Sequence, residues 1–219
     1  MTALDVLTFG VLAFFGSRLF VSFRRSLTGT ARAHAFELVR GLRLRHFLPV
    51  PLVVGGVVGA SIGLTSIPPF DFGWWTAIGG QGNPAFGVTD RTAGTPFELI
   101  VPIVFVTLLI PAMPLLVERE EYVFRLGAER WSTPKRVAKA VLFGLVHAVV
   151  GIPIGVAIAL SIGGAYFTLA YLRRFRATGS RREALQESTR AHLAYNTSIV
   201  VLVALVLIVD VVLVLSSTA

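Results

Sequence analysis

With 219 residues, 54% of them apolar and only 15% charged, and a mean hydropathy of +0.76, the chain is far from a soluble domain, in which about a quarter of residues carry charge. Its composition predicts an all-α, polytopic transmembrane helical bundle of about six spans, because each crossing needs about 20 apolar residues and little chain is left for a soluble domain. The formal net charge of +8 comes from arginines clustered beside apolar runs, so the bilayer and its anionic headgroups are the expected partner and nucleic acid is not; the lack of cysteine excludes disulfides, thiolate metal sites and cysteine nucleophiles.

Residues 1–96 read as N-terminal membrane helices, a basic interfacial segment and an outer loop. Residues 4–23 are apolar apart from Asp5 and Arg18 and end in Arg24-Arg25, a first membrane helix with no basic stretch in front of it to suggest a signal peptide. Residues 24–46 carry Arg24, Arg25, Arg32, Arg40, Arg43 and Arg45 with apolar residues interspersed, the pattern of a basic amphipathic helix lying along headgroups, and place His34 and His46 at the interface. Residues 47–70 form a second span in which Gly55, Gly59 and Gly63 share a face that another helix can approach. Residues 71–96, with Trp74-Trp75, many Gly and Pro and the charges Asp71, Asp90 and Arg91, read as a loop on the far side anchored by the tryptophans.

Residues 97–219 read as the core that carries chemistry. Residues 97–117 span the membrane through Pro102, Pro111 and Pro114, with a kink expected just before Glu118-Arg119-Glu120-Glu121. Two apolar runs, 137–150 and 154–172, flank the turn Gly151-Ile152-Pro153, and the first is short for a crossing unless the charged residues before it extend the helix. After the arginines of 173–182 a last helix runs through His192 and Asn196 to about residue 215. Six passes put the basic clusters of 24–45, 119–139 and 173–190 on one face.

On a helix Glu118, Glu121 and Arg125 share one face and Glu120 points about 100° away. Glu121 therefore has an intrahelical partner, while Glu120 is free to face the bundle interior as a general base. His147 sits deep in an apolar run, where an ionisable side chain faces a cavity or a partner. His192 and Asn196 lie one turn apart and offer two donors to a developing oxyanion. A base, an imidazole and a donor pair are the parts for water attack on an amide. Glu and two His are also a zinc inventory, but the H-E-x-x-H spacing is missing, and no metal or other cofactor is expected. Asp210, Arg18 and Glu98 read as interfacial or pairing residues.

The motifs E-E-x-x-x-R (Glu120-Glu121, Arg125), F-x-x-x-H (Phe143, His147) and H-x-x-x-N (His192, Asn196), in this order over about the last hundred residues, resemble the CPBP family of intramembrane peptidases, which includes type II CAAX prenyl endopeptidases and bacteriocin-processing (Abi) proteins. That resemblance implies a metal-independent glutamate endopeptidase of the cell membrane. It implies a cavity opening to the cytoplasmic side and a membrane-associated substrate, with prenylated proteins, leader peptides and other membrane peptides all left open. It also implies that Glu120 and His147 activate water, that His192 and Asn196 stabilise the oxyanion, and that Glu121, Arg125 and Phe143 support the site. The alternative is a non-catalytic family member acting as an immunity or scaffold partner of membrane proteins. A proton-coupled transporter would spread ionisable residues across the membrane, whereas here they gather near one face.

Overall fold

The computed structural model describes residues 3–89 and 93–217, so Asp90 and Arg91 of the outer loop lie outside the described residues. The described chain is helical except for one minimal antiparallel pairing of β1 (Gly80–Gln81) with β2 (Val88–Thr89), in the register Gly80 to Thr89 and Gln81 to Val88. The helices are α1 (Ala3–Ser26), α2 (Gly29–Arg40), α3 (Leu44–Phe47), α4 (Val50–Thr65), α5 (Trp74–Ala77), α6 (Phe97–Arg125), α7 (Thr133–Leu145), α8 (Ile154–Ala159), α9 (Ser161–Thr178) and α10 (Arg181–Ser217), with 3-10 turns at Ala128–Arg130 and Val146–Val150.

Among the described residues, four helical stretches are long and apolar enough to cross a membrane: Leu44–Thr65, Phe97–Arg130, Ile154–Thr178 and Arg181–Val212. α1 is not one of them, and neither is the run 137–150. Its helix begins early, at Thr133, where Pro134 sits in the first turn and gives up an N–H that would have no partner there. Past Leu145 it tightens into the 3-10 turn Val146–Val150, whose larger rise extends the element. Gly151, at φ 90°, ends it, because only glycine adopts that left-handed geometry without a Cβ clash. The three prolines lie inside one continuous helix, α6.

The outer surface is apolar, as lipid requires: Leu52 on α4 and Leu202, Leu205, Val206 and Val209 on α10 are all exposed. The core lies where α10 meets α4, α6, α7 and α9, and groups Val50, Val53, Phe124, Phe143, Phe167, Ala194 and Tyr195. A second cluster of Leu38, Met113, Val117 and Leu193 seats α2 against α6 and α10. Since lipid tails are as apolar as side chains, close backbone approach rather than dehydration holds such helices together. Glycines supply that approach, but not the ones expected. Nothing lies within 4 Å of where a Cβ would stand at Gly55, Gly59 or Gly63, whereas at Gly144 it would meet the Ala157 carbonyl and, at 2.9 Å, the Ser161 nitrogen. At Gly164 it would stand 2.9 Å from the Ala140 carbonyl. The tight seam is thus α7 against α8 and α9.

Trp75 is buried, its indole N–H donating to the Gln81 carbonyl at 3.2 Å, and Trp74 donates to the Val149 carbonyl at 3.0 Å. The pair thus ties the outer loop to the end of the 3-10 turn, in addition to any role at the interface. At the opposite end the basic segments are knitted together by ion pairs. His34 on α2 meets both carboxylate oxygens of Glu118 (2.8 and 2.9 Å), Arg45 meets Glu187 (3.0 Å), and Arg181 meets Glu129 (2.6 Å). The clusters of 24–45, 119–139 and 173–190 therefore converge on one end of the bundle.

Candidate active site

Glu120 and Glu121 are neighbours in the last turns of α6 and have opposite surroundings, because successive residues of a helix point about 100° apart. Glu121 is wholly buried. Its Oε1 takes a hydrogen bond from His192 Nδ1 at 2.8 Å and lies 3.0 Å from Arg125 Nη1, and its Oε2 accepts from Ser188 Oγ. Glu120 has a side chain 39% exposed, and its nearest charged partner is His192, whose Nε2 lies 3.8 Å from Oε2. That separation is too long for a direct hydrogen bond, so the carboxylate keeps its lone pairs for another donor.

Arg125 is as buried as Glu121. Its Nη2 donates to the Gly164 carbonyl at 3.3 Å, while Nε and Nη1 lack hydrogen-bond geometry although Nη1 is within ion-pair distance of Glu121. Aromatic faces complete the enclosure: the guanidinium carbon stands 4.1 Å from the centre of Phe143, 5.4 Å from Phe167 and 5.6 Å from Phe124. Such faces carry negative quadrupole density toward a cation, an interaction that strengthens as water is removed.

His192 is fixed on every side. Glu121, an acceptor when ionised, holds its Nδ1, so that nitrogen carries a proton. Phe167 stacks on the ring at 4.2 Å with an 18° tilt, and Phe143 meets it edge-on at 5.4 Å. Nε2 thus points toward Glu120 with an orientation set by packing. Ser188, one turn earlier on α10, has a single hydroxyl proton shared between Glu121 and the Phe167 carbonyl 2.9 Å away, and so locks α9, α10 and Glu121 together. Neither Ser188 nor Phe167 was singled out in the sequence. The signal for Ser188 was present, since S-x-x-x-H-x-x-x-N puts Ser188, His192 and Asn196 on one face; Phe167 had no distinguishing signal among the chain's aromatics.

His147 is half-buried in the 3-10 turn, and its Nδ1 donates to the Phe143 carbonyl at 2.7 Å. A carbonyl can only accept, so in the neutral ring the proton is on Nδ1 and Nε2 presents a lone pair. Its ring packs edge-on to Phe143 at 5.1 Å, and Phe143 thereby stands between His147 and His192. No hydrogen bond or ion pair joins Glu120 to His147 among the described residues. Asn196 is half-buried one turn beyond His192, and its amide has no hydrogen-bond partner among the described residues.

The structure thus gathers Glu120, Glu121, Arg125, Phe143, His147 and His192 around one aromatic centre, with Asn196 on the same face of α10 as His192. Among the described residues no group of three or more His, Asp and Glu is arranged to hold a metal ion. A cavity of about 1080 Å³ lies elsewhere, at the other end of the bundle between Glu98, Pro102, Leu202 and Asp210. Along α6, Pro102 and Glu120 are ~27 Å apart at about 1.5 Å per residue, so that cavity is not part of the constellation. In comparisons with protein-family models, with curated proteins and with solved structures, nothing matches the chain, so the function rests on the geometry and the three motifs.

Proposed function

We propose that this protein is an intramembrane endopeptidase of the CPBP type that hydrolyses peptide bonds of membrane-associated substrates with water activated by Glu120. One observation carries the reading most directly: of two adjacent glutamates, Glu121 is used up in holding His192 and Arg125, while Glu120 is open and unbonded beside the free nitrogen of His192. A solvated rim of charges has no reason to bury an arginine and a glutamate to hold one imidazole in place, because burying both charges is costly.

In this scheme Glu120 takes a proton from water while the water oxygen bonds to the scissile carbonyl carbon. The lone pair at His147 Nε2 accepts the water's other hydrogen and orients it. The carbonyl oxygen becomes an oxyanion facing the Asn196 amide and, in its doubly protonated form, His192 Nε2. Collapse of the tetrahedral species breaks the C–N bond, and Glu120 returns its proton to the leaving amine. Glu121 and Arg125 act only through His192. With α1 and the α7 segment added to the four long apolar stretches, the chain makes six passes. The positive-inside rule then puts the basic end, and with it the site, on the cytoplasmic side of the cell membrane.

The test is cleavage of a quenched peptide library by the purified protein in liposomes, for wild type, Glu120→Ala and His147→Ala, with and without a chelator. Cleavage that survives the chelator and is lost in both variants is the expected result. Cleavage abolished by the chelator overturns the glutamate mechanism, and the absence of cleavage of any library or lipidated peptide by folded protein favours a binding partner.

A further inference from the structure

A second polar site lies at the same end of the bundle, on the other side of α10, and uses none of the groups above. It is a pocket of about 290 Å³ between α3, α4, α9 and α10, lined by Arg45, His46, Tyr166, Arg173, Arg174 and Glu187 over an apolar wall that includes Pro49 and Leu169. Three arginines against one glutamate leave the lining with two net positive charges. Glu187 is already engaged, accepting from Arg45 at 3.0 Å, and Arg174 is paired with Glu183. Arg173 is exposed and has no ion-pair partner among the described residues.

His46 supplies the observation that a solvated patch would not. Its side chain is only 3% exposed, and Nδ1 accepts the Arg43 backbone N–H at 2.9 Å, so the proton of the neutral ring is on Nε2. That nitrogen is buried and has no hydrogen bond: Glu187 Oε1 is 3.3 Å away but not in line with it. A buried donor left unsatisfied forfeits its hydration without replacement, which is why such groups normally have a partner. The Tyr166 hydroxyl, on the pocket wall, also lacks a hydrogen bond among the described residues.

We propose that this pocket binds a phosphate group, with Arg45 and Arg173 as charged donors and His46 Nε2 and the Tyr166 hydroxyl as neutral ones. Arginine is suited to this role because its planar fork matches phosphate oxygens. The pocket sits where headgroups lie, and Leu48, Leu52 and Leu169 beside it face outward, so a phospholipid could place its phosphate in the pocket and its chains along α4 and α9.

The site is tested by titrating the purified full-length protein in detergent with dihexanoyl phosphatidic acid, dihexanoyl phosphatidylcholine and inorganic phosphate. Saturable one-to-one binding of phosphatidic acid that inorganic phosphate displaces is expected. Arg173→Ala and His46→Phe should weaken it at least tenfold, Glu187→Gln should strengthen it several-fold, and Arg24→Ala with Arg25→Ala, at the same end of the bundle, should leave it unchanged. Phosphate binding with no gain from acyl chains assigns the pocket to a soluble phosphate compound and upholds the chemistry. Failure of both phosphatidic acid and inorganic phosphate to saturate, or equal weakening in the Arg24 and Arg25 control, overturns it. None of these variants touches Glu120 or its neighbours, so the outcome is independent of peptidase activity.

Discussion

Glu121 and Arg125 form a fully buried pair one helical turn apart, and removing one member strands the other's charge away from water. Loss of one partner of such a pair typically costs about 3–5 kcal/mol, while replacing both with neutral groups of similar volume is often close to neutral. Glu121→Gln and Arg125→Met keep the volumes and remove the charges, and Gln still offers an oxygen to His192 Nδ1 or to Ser188. For a chain of this size each kcal/mol moves the melting temperature by about 2–4 °C, so each single variant should melt roughly 6–20 °C below wild type in detergent. The double variant should recover most of that loss, with a coupling of at least ~2 kcal/mol. Glu120→Gln provides the contrast. Its half-exposed carboxylate has no hydrogen bond, so melting should shift by no more than about 0.5 kcal/mol, while peptide cleavage should fall by at least ~10²-fold, as expected for loss of a general base. Single losses that simply add in the double variant, or that stay below about 1 kcal/mol, would refute the account of Glu121 as the buried anchor and Glu120 as the working group.

Two further substitutions probe the scaffold. Ser188→Ala removes the one hydroxyl donor shared by Glu121 and the Phe167 carbonyl and should cost about 1–3 kcal/mol of thermal stability; activity should fall with it, because His192 loses part of its anchor, and unchanged melting would show that the serine is not structural. Gly144→Ala forces a methyl group against Ala157 and Ser161 across the α7 seam and should destabilise by roughly 1–3 kcal/mol, as overpacking does. Gly59→Ala, which meets open space, should leave the monomer as stable as before or slightly more so, since alanine favours helix over glycine by up to about 1 kcal/mol. Equal losses at Gly144 and Gly59, read by melting of the purified monomer, would contradict the placement of the seam.

The helical character of the chain and its stretches long and apolar enough to cross a membrane were legible because apolar length and charge clustering are properties of contiguous sequence. The polar constellation was legible for the same reason: E-E-x-x-x-R and H-x-x-x-N each lie within one helix, and F-x-x-x-H runs from α7 straight into its 3-10 extension, so that offsets of three and four residues are contacts. The i,i+4 relation of Glu121 to Arg125 even separates that glutamate from Glu120 before any fold is known. Asn196 was placed on the face of His192 by the same spacing.

Contacts between helices were not legible. Gly55, Gly59 and Gly63 have the period of a packing face, yet whether a second helix comes to that face depends on where α8 and α9 lie, and the close approach is made instead where these two meet α7, at Gly144 of α7 and Gly164 of α9. Trp74 and Trp75 have the composition of an interface anchor, but their partners, Val149 and Gln81, are set by how the loop folds back. That His192 is stacked on Phe167 and gripped by Glu121 from 71 residues away, a carboxylate that Ser188 also bonds, follows only from the docking of α6, α9 and α10. The sequence alone determined which side chains each helix presents, because helical period is local; the tertiary structure decided which of them meet, because burial of charge and approach of backbone are properties of neighbours that no single segment contains.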